Sequence, residues 1–330
     1  MQSVEPKVAV ITGASSGIGE ATAYLMAERG INVVLAARRR TLLDEVAARC
    51  RAMGVDVLVV EADVSIDDDV DRLAQATIDE FGSFDVWINN AAVTVLGSFE
   101  EMPPEMFRKV IETNFFGYAY GAWAALRQFR AQGRGLIVNV SSVFGVIPSP
   151  YETPYVASKF AVRGFSGALR QELHLQGDKN IHVCTVLPAA IDTPIYKNSA
   201  NLTGREVQPP PPLYPASKVA EAIVGLIDMP QAEVIVGRAG KGMAVVRALL
   251  PEAVFEALFG RYIEALHFKG RTAAVTPGNL FNPGAVGGVS GNWPQASPRR
   301  KAAYAAAAVS AGLALAWWIR SHKHSGDAHD

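Results

Sequence analysis

Seven short apolar runs, separated by longer segments with helical spacing, constrain the fold of this chain more than any other feature. Each run is three to five residues long, is mostly Val, Ile and Leu, and shows no alternation of apolar and polar side chains. Such runs are typical of strands buried on both faces of a parallel sheet. The runs are 8–11, 33–36, 57–60, 86–89, 136–140, 183–187 and 234–236.

The segments between these runs have the spacing of amphipathic helices. They are 17–29, 41–53, 66–81, 105–130, 155–176 and 216–229. Strand, helix and strand in repetition imply right-handed crossovers between parallel strands. We therefore predict an α/β fold: one doubly wound, seven-stranded parallel sheet of the Rossmann type, with helices on both faces.

The predicted Rossmann-type domain covers residues 1–240, and the residues after it are divided into four further segments. Residues 241–269 read as an apolar helical extension, which Pro251 divides into two helices. Residues 270–301 are rich in Gly, Pro, Asn and Ser and read as an irregular linker. A transmembrane or tail-anchor helix is predicted at 302–320, and a disordered tail at 321–330.

Composition excludes several functional classes. Lys and Arg number 31 against 32 Asp and Glu, so the net charge of −1 provides no global field for nucleic acid. The two cysteines, Cys50 and Cys184, do not form a CxxC pair, which argues against a disulfide framework and a structural zinc site. We predict no metal and no nucleic-acid partner.

The first apolar run leads directly into a glycine-rich turn at residues 12–19, TGASSGIG. Gly13, Gly17 and Gly19 allow a tight turn and a close approach of the backbone to a phosphate. The helix beginning near Gly17 would then direct its N-terminal N–H groups at the anion. An ordinary strand-to-helix turn is the alternative interpretation.

This turn resembles the cofactor loop of the short-chain dehydrogenase/reductase family, and further motifs of that family follow in order over residues 5–240. They are Asp63-Val64, Asn89-Asn90-Ala91-Ala92, Asn114, Ser142 and the YxxxK pair Tyr155 and Lys159. Ala92 and Ala189 stand where the family pattern has glycine. Both departures leave the chemistry intact but could shift the backbone near the nicotinamide.

Tyr155 and Lys159 are four residues apart, so on a helix their side chains share a face. A phenol titrates near pH ~10, too high for a base at neutral pH, and a nearby ammonium is expected to lower that pKa. The resemblance implies a catalytic group of four. In it Tyr155 is the acid or base, Lys159 activates it and binds ribose, Ser142 orients the substrate oxygen, and Asn114 relays protons through a water.

Cofactor choice is read from the end of the second run. Ala37 occupies the position where NAD-selective enzymes carry an acid, and Arg38 follows it, so the resemblance favours NADP(H) over NAD(H). The alternative is that the arginines at 38–40 only solvate a helix start. The full set of implied cofactor residues is Gly13, Ser15, Ser16, Gly17, Ile18, Gly19, Arg38, Asp63, Val64, Asn90, Ala91, Tyr155, Lys159, Pro188 and Thr193.

The predicted function is that of an NADP(H)-dependent oxidoreductase, which moves hydride between nicotinamide and an alcohol or carbonyl. The substrate pocket would come from residues 143–151, 189–215 and 243–268, whose apolar content favours a steroid, retinoid or lipid-like carbonyl. Two other classes stay open: a dinucleotide-binding scaffold or sensor without catalysis, and an epimerase or dehydratase. The resemblance also implies a homo-oligomer.

Residues 302–319 contain no charged side chain and lie between basic clusters. Eighteen residues of helix span about 27 Å, enough for a thin bilayer. Trp317 and Trp318 at one end and Tyr304 at the other suit membrane interfaces. We expect a membrane anchor with the catalytic domain on the cytoplasmic side. Because half the segment is alanine, a helix that packs on the domain or on another subunit is the alternative.

Overall fold

The computed structural model describes residues 8–294, and its centre is a seven-stranded sheet. The strands are β1 Val8–Thr12, β2 Asn32–Ala37, β3 Val57–Glu61, β4 Val86–Asn89, β5 Gly135–Val140, β6 Ile181–Pro188 and β7 Glu233–Val236. All neighbours pair in parallel, in the order β3-β2-β1-β4-β5-β6-β7. The predicted doubly wound fold is confirmed, and every apolar run lies within one strand.

Helices cover both faces of the sheet. The described part of the chain forms α1 Gly17–Glu28, α2 Arg40–Arg51, α3 Asp67–Phe81, α4 Pro104–Ile111, α5 Gly117–Gln132, α6 Thr153–Gln176, α7 Ile195–Asn198, α8 Ala216–Asp228, α9 Arg238–Leu249 and α10 Glu252–His267. Helices α1, α2 and α8 pack on one face, and α3, α5 and α6 pack on the other. The strands are therefore covered on both sides, and the edge strands β3 and β7 are half-buried, which is why their sequences do not alternate.

The long helix predicted at 105–130 is interrupted. A π-helical turn, Glu112–Phe116, joins α4 to α5 and contains the buried Asn114. Single π-turns within α-helices are frequent at functional sites because they re-aim a side chain.

The apolar extension forms two helices separated at Pro251, since α9 ends at Leu249 and α10 begins at Glu252. Helix α10 buries Phe255, Phe259 and Ile263 against Phe144 and its neighbours in a separate apolar cluster. This cluster lies beyond the carboxyl ends of the strands. The extension therefore builds one wall of the space above the sheet.

After α10 the chain forms a short strand, Phe268–Thr272, which pairs with Arg205–Val207, and then runs without regular structure to residue 294. Leu280 in this stretch is fully buried, in a cluster with Val93 and Val95. Irregular backbone here therefore packs on the domain.

Within residues 8–294, no helix is both long and apolar enough to cross a membrane. The predicted anchor at 302–320 and the predicted tail at 321–330 lie outside the described residues.

Candidate active site

A cleft of about 280 Å³ runs along the carboxyl ends of the central strands. This is the edge at which doubly wound sheets bind ligands. Most of the residues predicted for the site line the cleft: Gly13, Ser15, Ser16, Gly17, Ile18, Arg38, Asp63, Val64, Asn90, Ala91, Ser142, Tyr155, Lys159, Pro188 and Thr193. Gly19 and Asn114 are not part of its lining.

The glycine-rich turn leaves no room for side chains where the sequence has glycine. Gly13 has a φ of +67°, and a Cβ there would lie 2.7 Å from the Cα of Ala91. A Cβ on Gly19 would lie 2.4 Å from the carbonyl oxygen of Gly13. The amide of Asn90 donates to the carbonyl of Thr12 at 3.0 Å and closes the turn on β4. This cradle at the start of α1 fits the pyrophosphate of a dinucleotide.

Two arginines stand at the end of β2, and both are held in place. The guanidinium of Arg38 donates to the carbonyl oxygens of Asn279 and Leu280 and lies 3.9 Å from Asp63 Oδ2. Arg39 donates to the hydroxyls of Ser15 and Ser16. Arg38 was expected at the cofactor from the sequence and Arg39 was not, because a run of three arginines does not reveal which of them face the glycine-rich turn.

Asp63 is fixed as a carboxylate at the same end of the cleft. Burial alone raises its pKa, but two hydrogen bonds from Ser65 and the charge of Lys109 together hold it below its usual value. The ammonium of Lys109 lies 3.2 Å from Asp63 Oδ2. A fixed acceptor therefore stands where the family pattern places an adenine contact.

Tyr155 and Ser142 form a hydroxyl pair at the other end of the cleft. Tyr155 comes from the first turns of α6 and Ser142 from just beyond β5, and both side chains line the cleft. Burial raises the pKa of Tyr155, the charge of Glu152 raises it further, and the nearby hydroxyl of Ser142 lowers it. This direction is opposite to the one expected from the sequence, so Tyr155 is a protonated phenol at neutral pH.

The position of Lys159 explains why the pKa of Tyr155 is raised and not lowered, because the lysine ammonium does not contact the phenol. Its Nζ donates to the carbonyl oxygen of Val140 at 2.8 Å and lies 5.5 Å from the ring centre of Tyr155. The side chain is 1% exposed, and burial lowers its pKa to about 7. Lys159 therefore changes charge near neutral pH, at a point deeper in the cleft than the phenol.

The low pKa of Lys159 predicts a pH-dependent stability. In the unfolded chain this lysine keeps its proton up to about pH 10.4. Between about pH 7 and pH 10 the unfolded state binds more protons, so the free energy of unfolding rises with pH, by about 1.4 kcal/mol per unit from this group. In urea unfolding without added nucleotide, we expect the free energy of unfolding of the wild-type protein to rise by about 1–2 kcal/mol more between pH 7 and pH 8.5 than that of Lys159→Met. Parallel pH dependences of the two proteins would contradict this assignment.

Asn114 lies behind the cleft. Its Nδ2 donates to the carbonyl oxygen of Val93 at 2.9 Å and to Ser158 Oγ at 3.1 Å, while its Oδ1 accepts from Val93 N at 2.8 Å. Val93 lines the cleft, so Asn114 fixes that wall. The proton relay that the resemblance implies stays a prediction.

The departure at Ala189 is accommodated by two glycines in the following elements. A Cβ on Gly237 would lie 2.8 Å from the Cβ of Ala189, and one on Gly240 would lie 3.1 Å from it. The absence of side chains at residues 237 and 240 therefore leaves room for the methyl group of Ala189. Ala92, the other departure, lines the cleft.

A buried acid–imidazole pair that the sequence did not reveal stands beside Tyr155. Nε2 of His267 lies 3.2 Å from Oε1 of Glu152, and both side chains are 1% exposed. Tyr196 and Thr94 donate hydroxyl hydrogen bonds to the same carboxylate. Because His267 ends α10 and Glu152 precedes α6, the pair joins the end of the extension to the start of α6. In residues 8–294, no group of three or more His, Cys, Asp or Glu side chains is placed to hold a metal ion.

Comparison of the amino-acid sequence with known protein families agrees with this site geometry. The family model for short chain dehydrogenases matches residues 7–203. The chain belongs to the short-chain dehydrogenase family. It is therefore an oxidoreductase with a site for NAD(P), and the residues present fit that group.

Curated relatives of this dehydrogenase include oxidoreductases of bacteria and plants. The uncharacterized oxidoreductase YxnA of Bacillus subtilis is 35% identical over 253 residues, which are 76% of this chain and 71% of that protein. The 11-beta-hydroxysteroid dehydrogenase A of Arachis hypogaea is 42% identical over 198 residues, 59% of this chain. The match to this plant enzyme spans only 55% of the plant enzyme's length.

Solved structures of the same fold bind both kinds of dinucleotide. An alcohol dehydrogenase of Thermococcus sibiricus, complexed with 5-hydroxy-NADP, aligns with a TM-score of 0.62 and 29% identity. It covers 70% of this chain and 95% of that one. A short-chain dehydrogenase of Burkholderia phymatum in complex with NAD aligns with a TM-score of 0.68 and 28% identity, over 75% and 95% of the two chains.

Proposed function

We propose that this dehydrogenase is an NADP(H)-dependent oxidoreductase acting on the alcohol or carbonyl group of an apolar substrate. The observation that carries the proposal is the hydroxyl pair of Tyr155 and Ser142, which faces a cleft whose far wall is apolar. That wall consists of Val143, Phe144, Ile147, Met243, Phe259 and Ile263.

The proposed chemistry divides between the cofactor and the protein. A bound nicotinamide dinucleotide supplies or accepts the hydride. Tyr155 donates its phenolic proton to the carbonyl oxygen in reduction and takes a proton back in oxidation. Ser142 donates a hydrogen bond to the same oxygen as negative charge develops there.

The preference for NADP(H) is assigned to Arg38. A charge-assisted contact to the 2′-phosphate contributes about 1.5–3 kcal/mol, and each 1.4 kcal/mol is about a factor of ten. We therefore expect at least a tenfold preference in kcat/KM for NADPH over NADH, mostly lost in Arg38→Ala. The exposed Arg40, which pairs with Asp44, gives the control Arg40→Ala. An unchanged cofactor ratio in Arg38→Ala would overturn the assignment.

Two observations support an apolar substrate. The cleft is walled by the half-buried Met243 of α9 and by the buried Phe259 and Ile263 of α10. Relatives from plants are named as 11-beta-hydroxysteroid dehydrogenases. The direct test is nucleotide oxidation or reduction with a panel of steroids, retinoids, long-chain aldehydes and small polar carbonyls. Turnover restricted to the polar members would refute an apolar substrate, and tight nucleotide binding without any turnover would favour the scaffold alternative.

We also propose that residues 302–319 anchor the protein to a membrane. Lys269 to Asp330 contain seven Lys and Arg against two Asp, a net charge of +5, which would draw this end toward an anionic leaflet. Full-length protein is expected to sediment with membranes and resist carbonate extraction, whereas a chain ending near residue 298 stays in the supernatant and binds nucleotide. Recovery of full-length protein in the supernatant would instead favour a packing or oligomer helix. Homo-oligomerisation stays a prediction.

A further inference from the structure

Residues 276–294, which we call the strap, cross the outside of the cleft from one end to the other. The strap begins beside the short strand Ala200–Asn201, where Thr276 and Asn201 exchange two backbone hydrogen bonds. Midway, the N–H of Gly17 at the start of α1 donates to the carbonyl oxygen of Gly288 at 3.0 Å. At the end, Trp293 Nε1 donates to the carbonyl oxygen of Thr193 at 2.9 Å.

Buried contacts hold the strap in one position. Leu280 is fully buried, and the amide of Asn198 exchanges two hydrogen bonds with the backbone of Val286. Gly278 has a φ of +53°, and a Cβ there would lie 2.3 Å from the carbonyl carbon of Ser199. The strap therefore fits closely against the segment that follows β6.

The strap orients both arginines of the cleft without cancelling their charge. Arg38 donates to the carbonyls of Asn279 and Leu280, and Arg39 donates to those of Gly284 and Val286. Residues 276–294 contain no charged side chain, so all these acceptors are neutral. These carbonyls add no negative charge beside either guanidinium, and the carboxylate near Arg38 is that of Asp63, 3.9 Å away.

Asn279 also brings an unsatisfied group to the cleft. Its side-chain Oδ1 is buried and, among the residues that the structure describes, has no hydrogen-bond partner. Such atoms are rare, because leaving a buried acceptor unpaired costs about 1–3 kcal/mol. Asn279 lines the cleft together with Arg38 and Asp63. The unpaired Oδ1 atom of Asn279 thus lies at the end of the cleft where the adenosine half of a dinucleotide is expected.

We propose that the strap is part of the dinucleotide site, with the side-chain amide of Asn279 bonding the adenosine half of the cofactor. The Oδ1 atom would accept a hydrogen bond from the cofactor. The exocyclic amine of adenine and the ribose hydroxyls can both donate one. The strap's carbonyls meanwhile keep Arg38 and Arg39 directed at the phosphates. The family model ends at residue 203, before this segment begins.

The test measures binding of two half-cofactors to the full-length protein by calorimetry. ADP-ribose carries the adenosine half shared by NAD and NADP, so the result does not depend on which cofactor is preferred. Asn279→Ala is expected to weaken ADP-ribose about three- to tenfold, the value of one neutral hydrogen bond. Reduced nicotinamide mononucleotide should bind both proteins equally. Val275→Ala, at an exposed position just before the strap, is the matched control.

A second variant tests the strap as a whole. Gly278→Val should displace the strap and weaken ADP-ribose more than Asn279→Ala does, since it moves Asn279 and also removes the acceptors that hold Arg39 beside the glycine-rich turn. In wild-type protein, ADP-ribose should slow hydrogen–deuterium exchange of the amides in 276–294. Wild-type affinity of Asn279→Ala for ADP-ribose, or equal weakening of both half-cofactors, would overturn the proposal.

Discussion

Replacing Tyr155 by phenylalanine is expected to lower kcat about 10²–10⁴-fold, which is the range for loss of a general acid. The substitution removes one oxygen and leaves the ring in place against Phe144. In the proposed mechanism that oxygen carries the proton the substrate receives, so kcat and kcat/KM should fall together while the dinucleotide Kd stays the same. Steady-state kinetics on a responsive substrate and fluorescence titration of the reduced cofactor measure the two effects.

The matched control is Tyr151→Phe. Tyr151 lies four residues before Tyr155, is 38% exposed and packs its ring against Phe268. It does not line the cleft, so its loss of a hydroxyl should leave turnover unchanged. If Tyr155→Phe and Tyr151→Phe turn over equally fast, the phenol of Tyr155 has no part in the reaction.

The second large effect is expected from Gly19→Ala. The new Cβ would lie 2.4 Å from the carbonyl oxygen of Gly13 and 2.7 Å from Asn90 Nδ2, and the first of these is backbone. The glycine-rich turn must therefore move away from the phosphate position. Breaking one charge-assisted hydrogen bond to the phosphate costs about 1.5–3 kcal/mol, so the Kd of the dinucleotide should rise by at least about 100-fold if two such bonds are broken.

A matched glycine separates this effect from a general loss of stability. Gly164 lies within α6, and a Cβ there would meet no atom within 4 Å. Gly164→Ala should leave the Kd unchanged and raise the free energy of unfolding by about 0.5–1 kcal/mol, because alanine favours helix. Gly19→Ala should lower the melting temperature slightly, since overpacking costs about 1–3 kcal/mol. A wild-type Kd for Gly19→Ala would show that the turn does not hold the phosphate.

Much of this molecule could be predicted from local patterns. The seven strands were predictable because the five central ones are buried on both faces and the edge strands β3 and β7 are half-buried, so nearly every position is apolar. Tyr155 and Lys159 were predictable as a pair because helical geometry places residues four apart on one face. Gly13 and Gly19 were predictable because only glycine fits where backbones approach closely.

The positions of the charges in the site depend instead on how distant elements pack. Lys159 extends to the carbonyl of Val140 rather than to the phenol, so burial sets the pKa of Tyr155 and reverses the expected direction. Glu152 and His267 meet across 115 residues of sequence, through the packing of α10 against the start of α6. Neither contact leaves a periodic signal in the sequence, because each joins separate elements.

The strap is the clearest example of a feature whose position the sequence does not predict. Its Gly, Pro and Asn content is typical of irregular backbone, and equally of a linker that does not contact the domain. What places it over the cleft is one buried Leu280 and a series of hydrogen bonds through backbone carbonyls, which every residue type possesses. The sheet, the glycine-rich turn and the helical pair of Tyr155 and Lys159 thus follow from side-chain patterns along the chain. The position of the strap follows from main-chain contacts, which such patterns do not encode and which form only when the whole domain has folded.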